Sequence, residues 1–103
     1  MAIVVLVTIP KKNAVSFSKI LLRKRVCACV NIIDQITSLY WWEGKLEKGK
    51  ESLLIIKTKN SKFKKLEETV KKNHPYSVPE IISLKVNKIN KEYLAWIEKE
   101  VNA

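Results

Sequence analysis

The chain has 103 residues, 47% of them hydrophobic, and 20 Lys and Arg against 10 Asp and Glu give it a net charge of +10. That is one domain's worth of chain, apolar enough to build a core and too apolar to stay disordered. Two glycines, Gly44 and Gly49, exclude the dinucleotide and P-loop phosphate fingerprints; one histidine, His74, excludes a two-histidine zinc site within the chain; and one aspartate, Asp34, excludes an aspartate dyad.

Ala2–Ile9 is a continuous β-branched run stopped by Pro10, and predicts a strand buried on both faces. From Asn13 the period changes. Ala14, Phe17, Ile20 and Leu21 recur at three- and four-residue spacing, which predicts an amphipathic helix that ends in the basic turn Arg23, Lys24, Arg25. Val26–Trp42 then runs without Pro or Gly and is rich in Val, Ile, Thr, Tyr and Trp, so it predicts a long strand. Glu43-Gly44-Lys45 supplies a turn, and Leu46–Lys59 returns as a second strand with a bulge expected at Gly49.

A straight strand over Val26–Trp42 would reach roughly 55 Å at about 3.3 Å per residue. A domain of this size has a radius of gyration of only about 13 Å. The hairpin must therefore bend sharply, or project and pack on something else. Its tip carries Tyr40, Trp41 and Trp42, an aggregation hazard if left exposed, and this predicts an oligomer.

Ser61 is placed to cap a helix whose buried stripe is Phe63, Leu66 and Val70, and Asn73 with Pro75 closes it. Pro79 introduces another strand, with Ile82, Leu84 and Val86 facing one way and Ser83 and Lys85 the other. Asn90 caps a last helix that buries Leu94, Ile97 and Val101. The order β-α-β-β-α-β-α predicts an α+β, ferredoxin-like domain over residues 1–103, an antiparallel sheet with helices on one face and an additional C-terminal helix. Cys27 and Cys29, if both lie in a strand, share a face with parallel Cβ vectors, which argues against a disulfide between them; reduced thiols suit a cytoplasmic chain. No apolar run approaches the roughly 20 residues of a membrane span.

Thr8-x-Pro10, Ala28-Cys29-Val30-Asn31-Ile32, Ser38-x-Tyr40-Trp41-Trp42-Glu43-Gly44-Lys45, Lys57-Thr58, His74-Pro75-Tyr76-x-Val78-Pro79-Glu80-Ile81 and Tyr93-Leu94-x-Trp96-Ile97 run in the order and approximate spacing of a known family. The chain resembles the divalent-cation tolerance proteins called CutA over nearly its whole length. The resemblance implies a homotrimer of ferredoxin-like subunits whose long hairpins wrap their neighbours. It also implies a role in tolerance of copper or other divalent cations, by metal binding or by regulation, with no catalytic activity. The architecture is similar to that of the PII signalling trimers, which suggests as an alternative a small anionic ligand in a cleft between subunits. Lys11-Lys12-Asn13 stands where the family is usually acidic, and Val7 and Asn73 stand where some members carry further copper ligands.

Against that background His74 is the first metal candidate, because imidazole binds copper and zinc and His74 matches the family's proposed copper position. The competing reading has it end the second helix and bond a carbonyl. Cys29 matches the family's cysteine, and with Cys27 offers soft thiolates to Cu(I); core filling is the competing reading. Tyr40, Trp41, Trp42 and Glu43 are candidates for an inter-subunit cleft or for trimer packing, with Lys45 and Lys57 near enough to hold an anion. Glu47, Glu51 and Lys57 are candidates for an interfacial ion network, and Glu80 reads as a solvated strand-end charge or the partner of a base. The charge permits nonspecific phosphate binding, but neither Ala2–Ile9 nor Ser52–Lys59 holds an aromatic residue that could stack on bases, so no specific nucleic-acid partner is expected.

Overall fold

Burial alternates along two strands, and the whole sheet is organised by that alternation. In the computed structural model, which describes Met1–Asn102, β1 (Ala2–Ile9) lies between β3 (Lys45–Lys59) and β4 (Ile82–Lys85), antiparallel to both. β2 (Cys29–Trp42) pairs with β3 from the outside, so the strand order is β2-β3-β1-β4. Three helices complete the chain: α1 (Lys11–Arg23), α2 (Phe63–Asn73) and α3 (Lys91–Val101). This is the expected ferredoxin-like α+β arrangement with its extra helix.

Residues directly opposite in a ladder share a face. Val5, Val7, Leu54 and Ile56 point to one side, where they form a single buried core with Phe17 and Leu21 of α1 and Leu66 and Val70 of α2. Val4, Leu6, Leu53, Ile55 and Ile33 point to the other, together with Ile82 and Leu84 of the edge strand. α3 packs against β3 at one end of this second face, where Ile97 and Val101 are buried and Tyr93 reaches Cys29. The rest stays open, and Ile33, Ile82 and Leu84 are 44%, 49% and 50% exposed.

The long hairpin outruns the sheet. β1 reaches only as far as Ser52, so the segment of β3 from Lys45 to Glu51 pairs with Ile36–Trp42 alone. That leaves a two-stranded ribbon of about 23 Å projecting from the body, at about 3.3 Å per residue. The molecule is accordingly elongated, with extents of 44 × 26 × 23 Å. Trp42 pairs with Lys45 across the two-residue loop Glu43-Gly44, and both loop residues have positive φ, 49° and 77°. That is the primed turn whose twist matches the flanking strands.

Three local expectations are corrected. The bulge lies in β2, not at Gly49: the register slips between Ile33 and Ile36, leaving Asp34 and Gln35 opposite Ser52, whose hydroxyl donates to the Asp34 carbonyl at 2.6 Å. Gly49 instead pairs regularly with Ser38, and its bare face lies in contact range of the Tyr40 ring. Val26, Cys27 and Ala28 precede β2, because α1 ends in a Schellman motif: Arg25 takes a φ of 57°, its amide donates to Leu22, and the Val26 amide donates to Leu21. Ser61 sits inside a short 3-10 turn, Asn60–Lys62, and caps nothing. Asn90 does occupy the N-cap position of α3, through backbone geometry with no side-chain bond.

Leu54 is fully buried at the centre of the helix-side core. Leu54→Ala is expected to lower unfolding free energy by about 2–5 kcal/mol in a denaturant titration; a loss below about 1 kcal/mol would contradict this packing.

Candidate functional site

Where the ribbon leaves the sheet, the chain after α2 folds across its root. α2 ends at Asn73 because His74 precedes Pro75 and is held extended, with φ −86° and ψ 140°. The His74 ring then ties this segment to β1. Its Nδ1 accepts the Tyr76 amide at 3.0 Å, so the ring proton sits on Nε2, which donates to the Thr8 carbonyl at 2.8 Å. The imidazole packs edge-on to Phe17 and tilted against Tyr76. Tyr76 in turn gives its hydroxyl proton to Glu51 Oε2 at 2.8 Å, and Ser38 gives its own to Glu51 Oε1 at 2.7 Å. His74 thus positions Tyr76, and Tyr76 positions a carboxylate.

The result is a cleft of about 610 Å³. Its walls are the aromatic Tyr40, Trp42 and Tyr76, and its polar lining is Glu51 and Glu80 with the hydroxyls of Thr8, Thr37, Ser38 and Ser77. No Lys or Arg lines it among the described residues. Burial, and then the charge of Glu51, push the Glu80 carboxyl above its usual range. Burial, and then the bond to Glu51, push the Tyr76 phenol up to about 12, so it stays a donor at neutral pH. Two carboxylates share a partly desolvated space that contains no compensating cation.

The sequence candidates divide accordingly. Tyr40 and Trp42 line the cleft, whereas Trp41 and Glu43 sit at the hairpin tip, with Trp41 72% exposed. Lys45 pairs with Trp42 at the tip and Lys57 pairs with Cys29 at the far end of β3, so neither lies in this cleft. His74 stands beside Thr8, whose ladder partner is Leu53. Cys29 is four positions further along β3, about 13 Å away at 3.3 Å per residue. His74 and Cys29 are therefore not brought together within one chain. Either ring nitrogen of His74 would have to give up an internal bond to bind an ion.

Cys27 and Cys29 also part company. Cys27 belongs to the helix-side core, and burial pushes its thiol up to about 12, whereas Cys29 lies with Lys57 on the opposite sheet face, beside Tyr93 and Asn31. Within one chain Glu47, Glu51 and Lys57 make no ion pair with one another; the two ion pairs among the described residues are Arg25 with Glu100 and Lys71 with Glu67. Glu80 is half-buried in the cleft, with the Glu51 carboxylate rather than a base as its charged neighbour. Sequence reasoning passed over Glu51, Glu80 and Tyr76 as one cluster. The available signal was the run from His74 to Glu80, whose two prolines fix a short loop at a set distance from Thr8.

Among the described residues no group of three or more His, Cys, Asp and Glu side chains is placed to hold a metal, and no helix is long and apolar enough to cross a membrane. The sequence matches the family described as CutA1 divalent ion tolerance protein over residues 3–100. A divalent-cation tolerance protein CutA of Thermus thermophilus is 44% identical over 97 residues, covering 93% of this chain and 94% of that one. The chloroplastic CutA 1 of rice is 46% identical over 94% of this chain, which spans only 55% of that relative. Among solved structures, a periplasmic divalent cation tolerance protein CutA from Archaeoglobus fulgidus superposes with a TM-score of 0.94 at 38% identity, covering 98% of this chain and 99% of that one.

The direction of the Glu80 shift sets a pH dependence. The folded chain holds the Glu80 proton at a pH where the unfolded chain has released it, so stability falls as pH rises through that window. Glu80→Gln is expected to raise the melting temperature modestly at pH 7, the advantage shrinking as pH drops below the ordinary carboxylate range. An equal effect at pH 3 and pH 7 would show that Glu80 is not strained by its neighbours.

Proposed function

This chain belongs to the CutA1 divalent ion tolerance family, and from that premise we propose that it binds divalent cations in the cleft at the hairpin root, as a homotrimer. The observation that carries the reading is the convergence of Glu51 and Glu80 on one space with four hydroxyls and no basic group. A cation there would favour the ionised form of Glu80 against the burial and, after it, the Glu51 repulsion that raise its carboxyl. Oxygen donors of this kind suit hard or borderline ions such as Mn²⁺, Mg²⁺ or Ca²⁺. Copper held through His74 and Cys29 would need ligands from more than one copy of the chain, given their separation along the sheet.

Self-association is supported by the open sheet face and by the hairpin, where Leu39, Trp41 and Leu46 are 68%, 72% and 65% exposed. The number three comes from the resemblance. A signalling trimer that takes a small anion is the second reading; it requires a cation delivered to the cleft by a neighbouring copy, since Lys45 and Lys57 of the same chain do not line it. The reduced thiols fit a cytoplasmic setting. A binding and regulatory role is preferred to catalysis because His74, the one imidazole, is committed to two structural bonds.

Calorimetric titration with Mn²⁺, Ca²⁺, Zn²⁺ and Cu²⁺ tests this. Glu51→Gln and Glu80→Gln should each weaken cation binding by about tenfold or more, with Cys29→Ser unchanged. Retention of affinity in both cleft variants, with loss in Cys29→Ser, would move the site to the thiol.

A further inference from the structure

The net charge has an address. Residues 11–25, which form α1 and its exit, carry six cations and no carboxylate, and residues 59–74, which contain α2, carry six cations against Glu67 and Glu68. The eight cations elsewhere are matched by eight carboxylates, so the whole +10 resides in these two segments. Both helices lie on the same side of the sheet, with their apolar stripes committed to one core and their lysines turned outward. Outside these two segments the chain is electrically neutral.

Little of this charge is neutralised locally. Arg25 pairs with Glu100 and Lys71 with Glu67; the other ten cations of the layer have no side-chain carboxylate within ion-pair distance among the described residues. Four of them, Lys59, Lys62, Lys64 and Lys65, converge around a depression of about 580 Å³ that also holds Ser61, Asn102 and one carboxylate, Glu68. Random scatter of a basic composition would leave charge on every face. Here one face holds all of it but the charge of Lys59, which the ladder turns to the α3 side, and that face is not the one left apolar.

We infer that the α1–α2 layer is a docking surface for the phosphate backbone of nucleic acid, bound through charge and without base readout. Lysines at helical spacing meet phosphates as point charges, and each phosphate neutralised releases a condensed counterion. The large exposed aromatics, Tyr40, Trp41, Trp42, Tyr76 and Trp96, lie on the hairpin, the cleft loop and α3, so the layer has no platform for stacking bases. It also lacks an apolar anchor, Val15 being its only strongly exposed large hydrophobic, and this favours a polyphosphate over a lipid surface. The inference is independent of the cleft on the other side of the ribbon.

Any protein this basic binds DNA at low salt, so the test is one of location. Two variants carry the same charge change: Lys19→Gln, Arg23→Gln, Lys64→Gln, Lys65→Gln on the layer, and Lys85→Gln, Lys88→Gln, Lys91→Gln, Lys99→Gln elsewhere, all exposed positions. Anisotropy of a labelled 20-base-pair duplex is read from 50 to 200 mM salt, with melting curves confirming that both variants fold. The layer variant is expected to lose about tenfold or more in affinity and to show a shallower dependence on salt, by roughly 0.9 per contact removed; the control should change by less than about threefold. Equal losses in the two variants, no binding at 50 mM salt, or tighter binding to vesicles containing phosphatidylserine than to the duplex would each overturn the proposal.

Discussion

The central pair of strands, β1 and β3, is apolar on both faces, and the chain has helices enough for only one. On the helix side, Val5, Val7, Leu54 and Ile56 are fully sealed. Burying a side chain of this kind is worth roughly 1.5–3 kcal/mol, and the same physical drive acts on Leu6, Leu53, Ile55, Ile82 and Leu84 on the opposite face, where α3 covers only the Cys29 end. A sheet built this way invites a second apolar surface. The projecting ribbon, with Leu39, Trp41 and Leu46 in solvent, adds a further unpartnered apolar surface.

The ribbon and the cleft are consequences of the same junction. Two residues of β2, Asp34 and Gln35, are accommodated opposite Ser52, and the bulge marks where β1 stops and the hairpin continues alone. Because bulges bend and twist a ladder, the ribbon departs at an angle that opens space beside Thr8. The segment clamped by His74 closes that space on its other side. One imidazole therefore does structural work that ends, two hydrogen bonds later, on the Glu51 carboxylate. The cleft's lining of oxygen donors and aromatic walls is the donor set on which the proposed cation binding rests.

Much of the fold was legible because periodicity reports burial. The switch from the β-branched run of Ala2–Ile9 to the helical stripe of Ala14, Phe17 and Leu21 marked the first two elements, and the length of the second strand announced a projecting hairpin. What escaped were features set by backbone geometry rather than by side-chain type. Arg25 takes a left-handed conformation usually given to glycine, so the helix end carried no signal and Val26 was read into the strand. Gly49 carried the opposite false signal: it is a glycine that a bulge does not need, kept bare beside the Tyr40 ring. The cleft was only half legible, since Tyr40 and Trp42 advertised themselves whereas Glu51 and Glu80, 29 residues apart in sequence, meet only through the register of β3 and the turn at Pro75.

That the sheet's second face and the hairpin are covered by further copies is the claim on which the cleft's surroundings and the functional reading depend. Light scattering on the purified chain across a dilution series measures it directly. The account predicts a mass three times the 11.9 kDa of the chain, unchanged down to micromolar concentration. A stable, cooperatively folded species of 11.9 kDa at micromolar concentration would contradict it, because such a monomer would be leaving Ile82, Leu84, Trp41 and Leu46 in water without penalty.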